Sequence, residues 1–163
     1  QATPVYLSLY AENDLRQYKY FAETDEKGFR KNKKAGSNNY LCTFRVGEIY
    51  LTAAEAAARL GELSQARTRL LELMRKRYAP EAYEAKSVVV NAMDKEALVQ
   101  EILDERAREL AFEGHRWFDL RRSTRPRLEK VLDGTRYVLE ENDARYTLAI
   151  PKEAIEANPG LLN

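Results

Sequence analysis

The chain has 163 residues, of which 44% are hydrophobic and 33% charged, with a formal net charge of +1. That is long enough to bury a real core, too rich in apolar residues for a disordered chain, and too nearly neutral for a whole surface built to bind a polyanion. One cysteine, Cys42, excludes an intramolecular disulfide, and no apolar run approaches the roughly 20 residues that cross a bilayer as a helix.

Taken in chain order, Gln1-Ala2-Thr3-Pro4 lacks the basic and apolar regions of a secretory signal. It reads as mid-protein sequence, so a targeting or lipid-attachment signal is expected outside these residues. Residues 1–40 are a polar, tyrosine-rich, loop-rich lead-in. Within them Arg16-Gln17-Tyr18-Lys19-Tyr20-Phe21 alternates like a strand, and Lys31, Lys33, Lys34 and Gly36-Ser37-Asn38-Asn39 read as a solvated loop. Residues 44–122 are the expected helical scaffold. Val46, Ile49, Tyr50, Ala53, Ala54, Ala57 and Leu60 recur at helical spacing, and Gly61 stops that helix. Leu63, Ala66, Leu70, Leu71 and Met74 stripe a second helix, which the very short turn makes an antiparallel neighbour.

Residues 79–93, with the β-branched run Val88-Val89-Val90, are expected to be a connector. Asp94 caps a third helix whose buried side carries Leu98, Ile102, Leu103, Arg106, Leu110 and Phe112, and Gly114 interrupts it. Trp117, Phe118 and Leu120 form a short apolar cluster on a further helical turn. Residues 123–163 are a loop and short-strand tail: Asp133-Gly134 turns between two β runs, Tyr146–Ile150 alternates like a strand, and Pro151 opens a last helical turn. The fold class is therefore mainly α, a helical hairpin with further helices and short strand-like segments, read as one domain over residues 1–163.

The first two helices fit a tetratricopeptide-like unit. Tyr50 takes its bulky position, Ala54 the small position where the helices cross, Ala66 the small position of the second helix and Leu70 the next large one. One such unit cannot bury its face alone. An ordinary helical hairpin fits the same residues.

Longer motifs are more specific. Arg45-Val46-Gly47-Glu48-Ile49-Tyr50-Leu51-Thr52-Ala53-Ala54-Glu55-Ala56 resembles the R-x-x-E-x-Y-L-x-x-A-E-A stretch of SusD/RagB proteins. The run from Glu105-Arg106 through Glu109-Leu110-Ala111-Phe112-Glu113-Gly114 to Arg116-Trp117-Phe118-Asp119-Leu120-Arg121-Arg122 is similar to that family's E-R-x-x-E-L-x-F-E-G-x-R-W-x-D-L-x-R signature. Asn13-Asp14-Leu15-Arg16 resembles an upstream N-D-x-R element, and Ile150-Pro151-Lys152-Glu153 with Asn158-Pro159 resembles the closing pattern. Leu162 before Asn163 departs from the glutamine usual there.

The resemblance implies the C-terminal part of a longer, outer-membrane, lipid-anchored nutrient-binding protein of Bacteroidetes. It implies a SusC-like TonB-dependent transporter as partner, an oligosaccharide or a peptide as ligand, no cofactor and no catalysis. The rival readings are an intracellular tetratricopeptide scaffold for protein segments and a glycosidase-like enzyme using Glu109 and Glu113.

Single residues are weighed against those readings. Glu105, Glu109 and Glu113 stand i,i+4, a like-charge ladder that is unfavourable unless arginines interleave. Arg45, Glu55, Arg106, Glu109, Glu113, Arg116 and Asp119 are the candidate members of a salt-bridge network, with Arg106 and Arg116 expected to pair with helix carboxylates. His115 is the only histidine and has no cluster to complete a metal site. Cys42 has no histidine near it in sequence to make it a nucleophile. Arg116, Arg121, Arg122, Arg125 and Arg127 form the sharpest basic cluster, but the neutral whole argues against nucleic acid. Tyr10, Tyr18 and Tyr20 offer sugar-stacking faces or half-buried packing.

Overall fold

The computed structural model describes residues 2–34, 45–158 and 160. Cys42, the Gly36–Asn39 loop, Pro159 and the Leu162-Asn163 ending lie outside the described residues.

The lead-in holds two short helices, α1 (Pro4–Leu7) and α2 (Arg16–Tyr20), and an antiparallel pair, β1 (Phe21–Thr24) and β2 (Arg30–Asn32). The strand expected from Arg16 is thus a helical turn up to Tyr20, and extended structure begins only at Phe21. The cause is local: an Asp14 carboxylate oxygen accepts the Arg16 backbone N–H at 3.0 Å and starts a turn that alternation cannot signal.

The helical scaffold follows as α3 (Val46–Leu60), α4 (Leu63–Met74), α5 (Pro80–Ala92), α6 (Lys95–Glu109) and α7 (His115–Arg122). Gly61, with φ 86°, ends α3 in the left-handed conformation, and two of the helix's last carbonyls accept the N–H groups of Gly61 and Glu62. The chain reverses at once into α4. α3 packs on α4 and on α6, and the core between them holds Leu51, Ala54, Ala58, Ala66, Leu70, Met74, Leu98 and Ile102. Ala54, Ala66 and Leu70 are fully buried there, while Tyr50 is half-buried, with the Arg69 guanidinium 5.8 Å above its ring.

The 79–93 connector is a helix. Pro80 stands at its first turn, where a missing N–H costs nothing, and Glu81, Ala82, Glu84, Ala85 and Lys86 are helix formers. Of the three valines only Val90 is buried, in the α3–α4–α6 core; Val88 and Val89 face solvent. Burial of one valine outweighs the β propensity of three. α6 begins as expected, the Asp94 carboxylate accepting the Ala97 N–H at 2.8 Å. Past its end Phe112 takes φ 61°, stays half exposed and packs edge-on against Tyr6 and Phe21.

Contacts group the chain into two compact units, Gln1–Arg116 and Trp117–Asn163. In the second, β3 (Leu128–Leu132) pairs antiparallel with β4 (Thr135–Leu139). Asp133 and Gly134 both take positive φ, as a two-residue hairpin turn requires. Tyr146–Ile150 is not a strand: Asp143 accepts the Arg145 N–H and opens a 3-10 turn over Ala144–Tyr146. The Tyr146 ring is buried and stacks on Trp117 at 5.2 Å, so packing of that ring overrides the alternation. Phe118, expected in an apolar cluster, is exposed. The last helix, α8, spans Lys152–Ala157.

Candidate functional site

The densest polar constellation lies in the first unit, along one side of α6. Glu101, Glu105 and Glu109 follow at i,i+4 on that helix and Glu113 comes just beyond it. The side chains of Glu105 and Glu109 are wholly buried, as is that of Asp14. A ladder of buried anions is untenable alone. One arginine bridges each step. Arg108 donates to Glu101 at 2.6 Å and to Glu105 at 2.8 Å. Arg16 donates to Glu105 at 2.7 Å and to Glu109 at 3.2 Å. Arg45, at the N-cap of α3, donates to Glu109 and to Glu113.

Arg16 uses its whole fork. Nε and Nη2 form a bidentate pair with Asp14 at 2.9 and 2.7 Å, Nη1 serves the two glutamates, and Nη2 also reaches the Tyr78 hydroxyl at 3.0 Å. Tyr78 in turn donates its own O–H to Glu105 at 3.2 Å. Arg77 adds a bidentate contact to Glu109 at 2.8 and 2.9 Å. Glu109 therefore accepts four N–H bonds. Burial alone would push its carboxyl up, but Arg77, Arg16 and Arg45 hold it down at about 2. Glu105 is held below the usual carboxylate range by Arg16 and Arg108, against the opposing effect of burial.

The same elements satisfy the end of α6. The carbonyl of Ala107 accepts from the Tyr6 hydroxyl at 2.7 Å, that of Arg108 from Tyr10 at 2.8 Å, and that of Glu109 from Arg45 at 3.2 Å and from Lys34. Lys34 also donates to Ala111 O at 3.2 Å and pairs with Glu113. Cations at the carbonyl end of a helix complement its dipole.

Of the residues singled out from sequence, Arg45, Glu109 and Glu113 meet in this cluster. Glu55 and Arg106 are buried on α3 and α6, Glu55 bonding Arg59 at 2.9 Å and Arg106 donating to Thr52 at 3.1 Å. Asp119 lies in the second unit, bonded to Arg122 at 2.7 Å. The expectation for Arg116 does not hold. It is half-buried and forms no ion pair among the described residues. Gly114, at φ 86°, breaks the α6 register before Arg116 is reached. His115 stands 3.6 Å from Glu48. The basic cluster is partly neutralised, since Arg127 pairs with Glu129 and Glu140 and Arg125 donates to the Arg121 carbonyl. Tyr10 is buried and Tyr20 half-buried, with Lys34 above its ring, whereas Tyr18 is exposed.

Sequence reasoning missed Asp14, Arg16, Lys34, Arg77, Tyr78 and Glu101 as members; Lys34, expected in a solvated loop, is instead largely buried against Glu113 and the end of α6. The N-D-x-R element was a signal for the first two; for Arg77 and Tyr78, in the turn after α4, no signal existed.

An α-helical hairpin locked to an acidic helix by interleaved arginines defines a scaffold. The cluster joins three separate motifs: the aspartate–arginine element, the opening arginine of α3 and the glutamate ladder of α6. The SusD family model matches residues 9–163, and the chain belongs to the SusD family. A solved SusD-like carbohydrate binding protein from Bacteroides vulgatus ATCC 8482 is similar in fold, with a TM-score of 0.62 and 19% identity, over 96% of this chain. This chain spans 40% of the length of that protein. A search of the curated proteins found no match.

Proposed function

We propose that this chain is the C-terminal scaffold part of a protein that captures carbohydrate at the outer-membrane surface and delivers it, unaltered, to a SusC-like TonB-dependent transporter. The full protein is lipid-anchored on the external face. The observation that supports this most is the SusD family match over residues 9–163, and the carbohydrate binding of the similar solved protein points to the same ligand class. Among the described residues no helix is long and apolar enough to cross a membrane.

The carboxylates suit a scaffold better than catalysis. A glycosidase acid must hold its proton near neutral pH and reach the glycosidic oxygen. Glu109 is buried, saturated by four N–H bonds and held ionised down to about pH 2. The capture site is then formed largely by sequence beyond this chain, since truncated walls lose both contact area and preorganisation.

The test is incubation of the chain with a panel of oligosaccharides and one of peptides, products followed by mass spectrometry and binding by calorimetry. No product and weak or absent binding are expected. Turnover abolished by Glu109→Gln or Glu113→Gln would overturn the non-catalytic reading; tight binding without turnover would place the capture site within these residues. Co-purification of the full reading frame with a TonB-dependent barrel tests the partner.

A further inference from the structure

The first unit holds two apolar cores that share no residue. One, with Leu51, Leu70, Met74, Leu98 and Ile102, lies among α3, α4 and α6. The other is built within the lead-in, where Ala2, Tyr10 and Phe21 are buried and Tyr6, Leu7 and Tyr20 pack on them. Among the described residues, none of residues 2–34 enters the helical core. The joint between the two is mainly polar. Arg16 reaches Glu105 at 2.7 Å and Glu109 at 3.2 Å, the Tyr6 and Tyr10 hydroxyls donate to the Ala107 and Arg108 carbonyls, and Lys34 donates to the Ala111 carbonyl. Two backbone bonds cross as well: the Leu15 N–H donates to the Arg77 carbonyl at 2.9 Å, and the Ala79 N–H to the Asn13 carbonyl at 3.2 Å. Among the described residues, the ring–ring contacts across the joint are those of Phe112, edge-on to Tyr6 and Phe21 and itself 50% exposed.

Polar and apolar joints differ in what separation costs. Parting two apolar faces exposes both to water with nothing regained. Parting an intact buried ion pair returns both charges to water, so the desolvation penalty is recovered and the net cost is small; removing one partner in place strands the other, and that cost is large. The lead-in is therefore held firmly against substitution of single charges and weakly against departure as a whole. We propose that residues 2–34 are a strap that undocks from the scaffold together, while the core among α3, α4 and α6 stays folded. Undocking opens the carbonyl end of α6 and the Glu105–Glu109 pair to solvent. The proposal is independent of the carbohydrate reading.

The experiment is native-state hydrogen exchange, followed by NMR on the 163-residue chain under conditions where rates report opening equilibria. Leu15 and Ala79 are the reporters, because their N–H groups bond across the joint. Ala79 lies beyond α4 in sequence, yet it is expected to share one opening constant with Leu15 and with Arg30 and Lys33, which are bonded inside the strap. Amides of Leu51, Leu70 and Ile102 are expected to open at least tenfold less often. Tyr6→Phe combined with Tyr10→Phe keeps both rings and removes both hydroxyl donors to α6. Loss of two such bonds is expected to raise the opening constant of the strap about tenfold or more and to leave α3 and α4 unchanged. A single opening constant for strap and scaffold would overturn the proposal, as would a double variant that speeds both sets alike. Opening of Leu15 and Ala79 without Arg30 and Lys33 would also overturn it, since the joint would then fray locally instead of releasing a strap.

Discussion

A methyl group on Gly47 would lie 2.8 Å from Oε1 of Glu109 and 3.3 Å from its Cγ. The first turn of α3 thus comes close enough to the glutamate ladder that only a residue without a side chain fits. The contact cannot be relieved by swinging Glu109 aside, because Arg16, Arg45 and Arg77 hold both of its carboxylate oxygens. Ordinarily, alanine in place of a helical glycine stabilises by about 0.5–1 kcal/mol. Here Gly47→Ala is expected to destabilise by about 1–3 kcal/mol, as overpacking does. Urea unfolding reads the sign, and a raised midpoint would mean that Glu109 yields.

Glu109→Gln removes the charge that Arg16, Arg45 and Arg77 share, at a side chain wholly buried from solvent. Breaking one side of a buried ion pair costs about 3–5 kcal/mol, and the loss is expected in that range. Glu113→Gln touches a partly exposed carboxylate paired with Arg45 and Lys34, so its cost should be near 1 kcal/mol. Chemical denaturation of the two variants side by side checks the order; equal losses would show that burial of Glu109 is not what matters.

The acid limb of stability follows from the same groups. Glu109 and Glu105 have folded carboxyls depressed below their unfolded values, Glu109 to about 2. Their contribution is therefore complete above the ordinary carboxylate pKa of roughly 4.3. It declines as pH falls from there toward 2, where protonation removes the ion pairs. The midpoint of thermal unfolding should drop steeply across that window, and Glu109→Gln should flatten the drop. An unchanged slope in the variant would assign acid lability to other groups.

Ala54 is fully buried, in a core with Ala58 and Ala66. Ala54→Leu adds volume to that packed core and should cost about 1–3 kcal/mol. Thermal unfolding is the measurement, and an unchanged midpoint would mean the core around Ala54 has slack.

How much of this was legible in the sequence depends on distance along the chain. Apolar periodicity placed the α3–α4 hairpin, and Asp94 and Gly61 marked a helix start and a helix stop, because caps and stripes are set by residues within a turn or two of one another. The Asp133-Gly134 hairpin was legible for the same reason. The readings that failed were those in which a remote contact decides. Val90 enters the helical core, so α5 is a helix and not a connector. Tyr146 stacks on Trp117, so its segment is not a strand.

The candidate site divides along the same line. The sequence by itself determined the acidic ladder of α6, since i,i+4 spacing on a helix puts Glu105 and Glu109 on one side whatever surrounds them. It also pointed to Arg45 and Glu113 as network members and to the SusD family. Only the tertiary structure decided which cations interleave. Arg16 comes from 89 residues away to bridge Glu105 and Glu109, Arg77 arrives from the turn after α4, and Arg116 stays out. Charge spacing within a helix states that anions need partners; which arginines reach them depends on how separate segments cross in space, and no local pattern encodes that.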